Sequence, residues 1–333
     1  MVLTHRLLLW KGFFLEYLFI QWISARHQKN NFSKESVNEI RECNSLYIRR
    51  MKMEESYIIY HYCTVETFKN ILKSKVLWLC NLIDSNDDEE VIRTFVNLWE
   101  GVKKKLRQTD LSSEMLDQVF ETIDAQYKIE IKVDPPYGIC FCQKDDLLFQ
   151  WKEYGDNTRG LSLGFDINWF MNNDGIKQQK PHPNSIQSNA IGCDNVIYHS
   201  EDVEKKLAGI CYEALKRQGA SAWIRSIRPT FKHYSAFIKN PTFKPESEIR
   251  IVYYPMEEEN FSEKDVNISD LKTNIKKHYE IPWINGNSQA LKSICIGHNC
   301  DLKETDIRRL LEENGVKTDI EIKQSECSYR IRK

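Results

Sequence analysis

From Glu246 to Tyr253 the chain alternates charge and bulk, with Glu246, Glu248 and Arg250 at one parity and Ile249, Ile251 and Tyr253 at the other. In an extended strand residues two apart share a face. The segment therefore asks for a sheet that is apolar on one side and charged on the other. The rest of the chain offers further strands at Tyr57–Tyr62, Val76–Cys80, Gly138–Cys142, Gly160–Phe165, Asn195–Tyr198, Ser293–Gly297 and Thr318–Lys323. Between them lie helical patterns. One is capped by Thr64, with Val65, Phe68, Ile71 and Leu72 on one side, and another is capped by Ser200 and ends at Gly219. Others follow Asn86–Glu90, cover 113–129 and Leu147–Tyr154, and run from Glu304 to Asn314 before Gly315. Strands and helices mix without regular βαβ alternation and without an internal repeat. That pattern predicts a single α+β domain, a mixed or antiparallel split sheet flanked by helices, over residues 53–333.

Charge excludes one broad class of partner. The 47 Lys and Arg residues nearly cancel the 48 Asp and Glu, giving a net charge of −1, so no global field draws the chain to nucleic acid or membrane. The balance is uneven, however: residues 1–52 carry a net +5 and the remainder a net −6. Ten cysteines are scattered along the sequence, several inside apolar runs, which predicts free thiols in a reducing, cytoplasmic setting. Cys140 and Cys142 flank Phe141 on a strand, and Cys295, His298 and Cys300 have no second ligand pair after them. No metal is expected on that basis.

Residues 1–52 form an N-terminal extension outside the domain. Leu7 to Ile23 is apolar but is interrupted by Lys11, Glu16 and Gln21, and it falls short of the roughly 20 residues that span a bilayer. One expectation is that translation starts at Met51 or Met53 and the extension is not made. The other is that it is made and residues 7–23 attach to a membrane surface.

Three blocks carry a resemblance. The first is Tyr60-His61-Tyr62-Cys63-Thr64 with Phe68, Ile71, Leu72, Leu77-Trp78-Leu79 and Asn86-Asp87-x-x-Glu90. The second is Cys140-Phe141-x-x-x-Asp145, Trp151-x-x-Tyr154 and Gly160-Leu161-x-x-Gly164-Phe165. The third is Lys244-x-Glu246-x-Glu248-x-Arg250, Ile294-x-Ile296-Gly297 and Ser325-x-x-x-Tyr329-Arg330. In this order and spacing, over about residues 57–333, they resemble the bacterial domain of unknown function 2971 family; Asp88 stands where that family usually has proline. More distantly, a His on the first strand, an aromatic-bearing helix after a middle strand and a Glu on a late strand resemble ADP-ribosyltransferases of the His-Tyr-Glu type.

The second resemblance implies an enzyme that displaces nicotinamide from NAD, with water or an unknown macromolecular acceptor, protein or nucleic acid, and a toxin or phage-defence setting. It implies Glu248, His61 and Tyr154 as catalytic residues. His61, Tyr62, Trp151, Tyr154 and Arg250 would hold NAD, while Glu246, Asn86 and Asp87 would contact the substrate. In that scheme the Glu248 carboxylate stabilises the developing oxocarbenium charge, His61 hydrogen-bonds a ribose hydroxyl, and Tyr154 stacks on nicotinamide.

Taken alone, the same residues have plainer readings. Glu246, Glu248 and Arg250 would be an exposed charged face. His61 would be structural, and Trp151 and Tyr154 would be a core pair on one helix face. Asp87 with Glu90 would be a helix N-terminal cap. Two alternatives remain open: a metal-dependent phosphodiesterase or nuclease using Asp87, Glu90, Glu246 and Glu248, and a non-enzymatic sensing or interaction module. No Gly-rich phosphate loop is present.

Overall fold

The structure, a computed structural model, describes residues 57–83, 90–133, 135–172, 191–220, 223, 235–253, 267–271 and 274–329. Asn86, Asp87 and the N-terminal extension with its residues 7–23 lie outside the described residues. A ten-stranded sheet organises the chain and confirms the α+β reading. Its main path runs β14 (Glu321–Gln324), β13 (Leu291–Ile296), β4 (Leu161–Asp166), β1 (Ile58–Cys63), β3 (Tyr137–Cys142), β2 (Val76–Asn81), β10 (Asn274–Pro282) and β9 (Asn267–Leu271). Off this path, β8 (Glu248–Tyr253) pairs with β3 and with β5 (Ile191–Asn195). The sheet is mixed: β13 and β14 are parallel, while β4 runs antiparallel to both β1 and β13.

The sheet forks at β3. Strand β8 pairs with β3 along its whole length, from Tyr137 opposite Tyr253 to Cys142 opposite Glu248. The other edge of β3 is shared, with Cys142 beside Tyr60 of β1 and Gly138 and Tyr137 beside Cys80 and Asn81 of β2. Between those contacts the His61 Nδ1–H donates to the Cys140 carbonyl at 3.1 Å. A side chain thus satisfies a backbone acceptor at the fork, which the ladder on that edge leaves unpaired.

One face of the sheet is almost wholly apolar. Ile59, Cys63, Ile139, Phe141, Leu161, Leu163, Phe165, Ile249 and Ile251 lie in one buried cluster. Helix α1 (Val65–Ser74) covers it with Phe68, Ile71 and Leu72, and α7 (Glu304–Glu313) with Ile307 and Leu311. Helix α1 starts where predicted: the Thr64 hydroxyl accepts from the Thr67 N–H at 3.1 Å, and Lys75 closes the helix at φ 62°. Phe170, on the short helix α5 (Ile167–Asn172), joins the same cluster.

The opposite face carries two separate apolar clusters. Helices α2 (Glu90–Leu106), α3 (Ser113–Val133) and α6 (Glu201–Gln218) pack with Val252 and Leu82 in one. Helix α6 has the predicted Ser200 cap and ends at Gly219, φ 72°, with acids in its first turn and Lys216 and Arg217 in its last. Tyr62, Cys142, Trp151 and Cys295 form the other cluster beneath helix α4 (Leu148–Glu153). Among the described residues no helix is long and apolar enough to cross a membrane.

Candidate active site

A short 3-10 helix and two strands place four charges on this second face. Strand β6 (Ile197–Tyr198) pairs in parallel with β7 (Ile238–Lys239), which positions Lys239. Asn240 caps the 3-10 helix Pro241–Glu246, and Ser247 at φ 49° turns the chain sharply before β8 begins at Glu248. Glu246 is therefore the last residue of a helix rather than part of the strand, which corrects the extended alternation read from the sequence. It still meets Glu248, through a shared cation.

The Lys239 ammonium donates to Glu246 Oε2 at 2.5 Å and to Glu248 Oε2 at 3.0 Å, and it lies 4.6 Å from the centre of the Phe243 ring. Arg250 grips Glu248 with two donors, Nε to Oε1 at 2.5 Å and Nη2 to Oε2 at 3.3 Å, and gives Nη1 to the Ala236 carbonyl at 2.7 Å. The Tyr198 hydroxyl accepts from the Glu248 N–H at 3.4 Å. Glu246, Glu248, Arg250 and Lys239 are 3%, 3%, 4% and 5% exposed, so the solvated charged face expected for this strand is instead a buried ion network. Charges out of water persist only when paired and hydrogen-bonded.

The two carboxyls are pushed apart in acidity. Burial raises the Glu248 carboxyl, but Arg250 and Lys239 outweigh it and hold it down at about 2. For Glu246 burial prevails over Lys239, and the carboxyl stands above its ordinary value. Diverging acidities in one site separate a group that stays ionised from one that can take and return a proton.

Helix α4 roofs the cluster. Tyr154, its C-terminal cap, donates from its hydroxyl to Glu246 Oε1 at 3.4 Å. Gln150 Nε2 and Cys142 Sγ donate to the Glu246 carbonyl at 2.9 and 3.3 Å. Tyr154 is 45% exposed, so the buried carboxylate is covered on this side by a half-open aromatic ring. Cys140 is also exposed; it lies opposite Arg250 in the ladder and donates its thiol to Glu248. Asp194 stands on the other side of Arg250, on β5, and burial pushes its carboxyl up to about 7.

The structure brings together Tyr154, Glu246, Glu248 and Arg250, and it keeps His61 apart. His61 sits between Ile59 and Cys63 on the apolar face, edge-on to Phe141 with ring centroids 5.8 Å apart. Burial lowers its imidazole below the usual histidine value, which suits a neutral structural ring. His61 and Glu248 occupy opposite faces, so the predicted meeting of His61, Tyr154 and Glu248 does not occur. Trp151 and Tyr154 do not share an environment either. Trp151 is fully buried, and its indole N–H donates to Asp146 Oδ1 at 2.6 Å, because the helix ends before Tyr154 and turns that residue outward. The Tyr62 hydroxyl is consumed by the backbone, donating to the Lys144 carbonyl and accepting from the Leu147 N–H, both at 2.8 Å.

Sequence reasoning missed Lys239 and Cys140. A lysine directly after Ala236-Phe237-Ile238 and before Asn240-Pro241 was a readable signal of a buried cation, since an unpaired charge would not sit at the end of an apolar run. Cys140 gave no signal, because nothing in the pattern distinguishes a thiol facing a carboxylate from one facing a core. Among the described residues no group of three His, Cys, Asp or Glu side chains is placed to hold a metal ion. Glu246 and Glu248, which the metal-dependent alternative would use, are occupied by Lys239 and Arg250.

Residues 150–251 match the model of a family described as protein of unknown function, DUF2971. The match runs from Gln150 on α4 to Ile251 on β8, so it spans Tyr154, Lys239, Glu246, Glu248 and Arg250. The resemblance read from the second and third sequence blocks holds over that range. No curated protein matches the chain, and no solved structure does.

Proposed function

We propose that the Tyr154–Glu246–Lys239–Glu248–Arg250 cluster is the active site of an NAD-cleaving enzyme of the ADP-ribosyltransferase type. One observation carries the reading: two carboxyls share Lys239, one held ionised and one raised, and the raised one bonds the hydroxyl of the half-exposed Tyr154. NAD as the substrate, and a toxin or phage-defence setting, come from the sequence resemblance.

In this scheme the Tyr154 ring stacks on nicotinamide, and the bond between the ribose anomeric carbon and the nicotinamide nitrogen breaks. Nicotinamide leaves as a neutral molecule with the bonding electron pair. Glu246 takes the proton of the attacking water or acceptor hydroxyl, for which a raised carboxyl suits a working pH near neutrality. Glu248 stays ionised, and its field, with that of Glu246, favours the developing oxocarbenium. Glu248 therefore acts from behind Glu246, and His61 takes no part.

The test is release of labelled nicotinamide by the purified protein, with and without protein and nucleic-acid acceptors, for wild type, Glu246→Gln and Tyr154→Phe. Wild type should release nicotinamide. Glu246→Gln should lower the rate on the order of 10²–10⁴-fold, the usual weight of a general acid–base group, and Tyr154→Phe less. No release by wild type in any condition, with no NAD binding by calorimetry, would sink the proposal. Among the described residues the network sets two acids against two bases, which favours a second reading, a buried ion network that only fixes β7 and the 3-10 helix against β8. Under it, Glu246→Gln changes stability and nothing else.

A further inference from the structure

The third sequence block ends in Ser325 and Tyr329, which the ion network does not use, yet both reach the helix that roofs it. Asp146, in the loop before α4, accepts from the Trp151 indole N–H at 2.6 Å, the Ser325 hydroxyl at 2.6 Å and the Glu326 N–H at 2.7 Å. These three donors hold its carboxyl below the ordinary aspartate value against a raising contribution from burial. Next to it, Lys323 bonds Asp145 at 2.5 Å. Further along, Asn299 Nδ2 donates to the Tyr329 carbonyl at 2.9 Å, and the Lys152 ammonium lies 4.9 Å from the centre of the Tyr329 ring. The segment 323–329 is thus strapped across the loop and helix that carry Tyr154.

The other end of α4 is anchored just as closely. Asp156, Asn157 and Thr158 take φ values of 47°, 54° and 69°, a run of left-handed residues that L side chains rarely sustain. Thr158 is fully buried in that conformation, and Asn299 Nδ2 donates to its hydroxyl at 2.5 Å while the Asn299 N–H donates to its carbonyl at 2.9 Å. A Cβ at Gly297 would lie 2.2 Å from that same carbonyl oxygen, which is why glycine is needed there.

We propose that Asp146 is a positioning residue of the site: by tying the C-terminal segment to Trp151 it sets α4 where Tyr154 and Gln150 hold Glu246. The chain of contacts runs from Ser325 and Glu326 to Asp146, to Trp151, and along one turn of helix to Gln150 and Tyr154, which bond the backbone and carboxylate of Glu246. Two regions far apart in sequence, 146–151 and 325–326, therefore share one carboxylate, and the helix after it carries the linkage to Glu246. The proposal rests on Glu246 as the acting group, and its primary test is read without turnover.

The test compares wild type, Asp146→Asn and Ser325→Ala, all as the full chain. Asp146→Asn sets an amide donor against the Trp151, Ser325 or Glu326 donors, and Ser325→Ala removes one bond only. Hydrogen exchange at Trp151 and Tyr154 should rise about tenfold or more in Asp146→Asn, the weight of one lost charge-assisted bond on a local opening. Exchange in α2 and α6 should stay unchanged. The Glu246 carbon-13 carboxyl titration, assigned by its loss in Glu246→Gln, should move down toward the ordinary glutamate range as the roof loosens. Ser325→Ala should shift both readouts in the same direction by less, and it decides the matter if Asp146→Asn does not fold. Loosening confined to residues 325–329 with Glu246 unmoved would overturn the proposal, as would an equal rise in α2 and α6. If wild type releases nicotinamide, Asp146→Asn should lower kcat with KM held; if it releases none, the NAD reading fails while exchange and titration still judge the positioning role.

Discussion

The two faces of the sheet are built from the same strands and hold together by different physics. On β8, Ile249 and Ile251 enter the apolar cluster under α1 and α7, whereas Glu248 and Arg250 form an ion network under α4. On β1, Ile59, His61 and Cys63 face the first, and Tyr62 faces the second. The apolar face gains from every buried methylene and is tolerant in kind, since any well-fitting side chain contributes. The ion network on the other face is worth little as a whole and loses heavily if one member is removed, because the remaining charges are left out of water. The proposed chemistry belongs to the second face, where a raised carboxyl and an ionised one stand side by side; His61, the residue type most often drawn into mechanisms, is on the first.

The sharpest way to break this comparison is to remove one group from each side. Glu248→Ala should cost roughly 3–5 kcal/mol by urea unfolding, because Arg250 and Lys239 lose a buried partner. Leu163→Ala, on the apolar face and 1% exposed, should cost about 2–5 kcal/mol by transfer and cavity terms alone. The distinction lies in salt and pH: the Leu163→Ala loss should be the same at pH 3 and pH 7, and the Glu248→Ala loss should not. Equal pH response in both variants would mean the ion network contributes nothing as a network.

His61→Ala comes next in size. It removes one hydrogen bond to the Cys140 carbonyl and one edge contact to Phe141, so about 1–2 kcal/mol of stability should be lost. If the protein releases nicotinamide, that rate should persist in the folded variant. A rate collapse with little loss of stability would return His61 to the site and undo the separation of the faces.

A further way to sharpen the comparison is pH. Arg250 and Lys239 depress the Glu248 carboxyl to about 2 from the ordinary glutamate value of 4.5, against burial, so its stabilisation is present above pH 4.5 and is lost as pH falls from there toward 2. Asp194 is raised to about 7 from 3.8, so its contribution is present below pH 3.8 and is lost as pH rises through 7. Unfolding midpoints across pH 2–8 should therefore fall at both ends, and Asp194→Asn should flatten the neutral side alone. A variant as pH-sensitive as wild type between pH 5 and 8 would show that Asp194 is not the group responsible.

Much of the scaffold was legible because it depends on local chemistry. The Thr64 and Ser200 caps, the stop at Gly219 and the apolar stripe of α1 each follow from a few neighbouring residues, and the parity of Ile249 and Ile251 marked the buried face of β8 correctly. Strand β6, which carries Tyr198, fell within the strand expected at Asn195–Tyr198, whereas β7, of two residues, left no periodic trace and carries Lys239 to the site. The parity rule also placed Glu246 on the strand, where the positive φ of Ser247 ends it. Trp151 and Tyr154 have helical spacing, but the helix stops at Glu153, and the spacing has no meaning beyond the last turn.

The sequence by itself determined the class of fold, the family resemblance and the segment Glu246–Arg250 as the place where charge meets an apolar strand. Periodicity, capping and order along the chain depend on near neighbours, so one dimension suffices to see them. Whether that charge faces water or the interior, which cation stands between Glu246 and Glu248, and on which side of the sheet His61 lies were decided by the tertiary structure. Each of these depends on strand pairing, and pairing joins residues far apart along the chain, as His61 to Leu163 and Cys142 to Glu248. A strand shifted by one residue would have exchanged the two faces entirely.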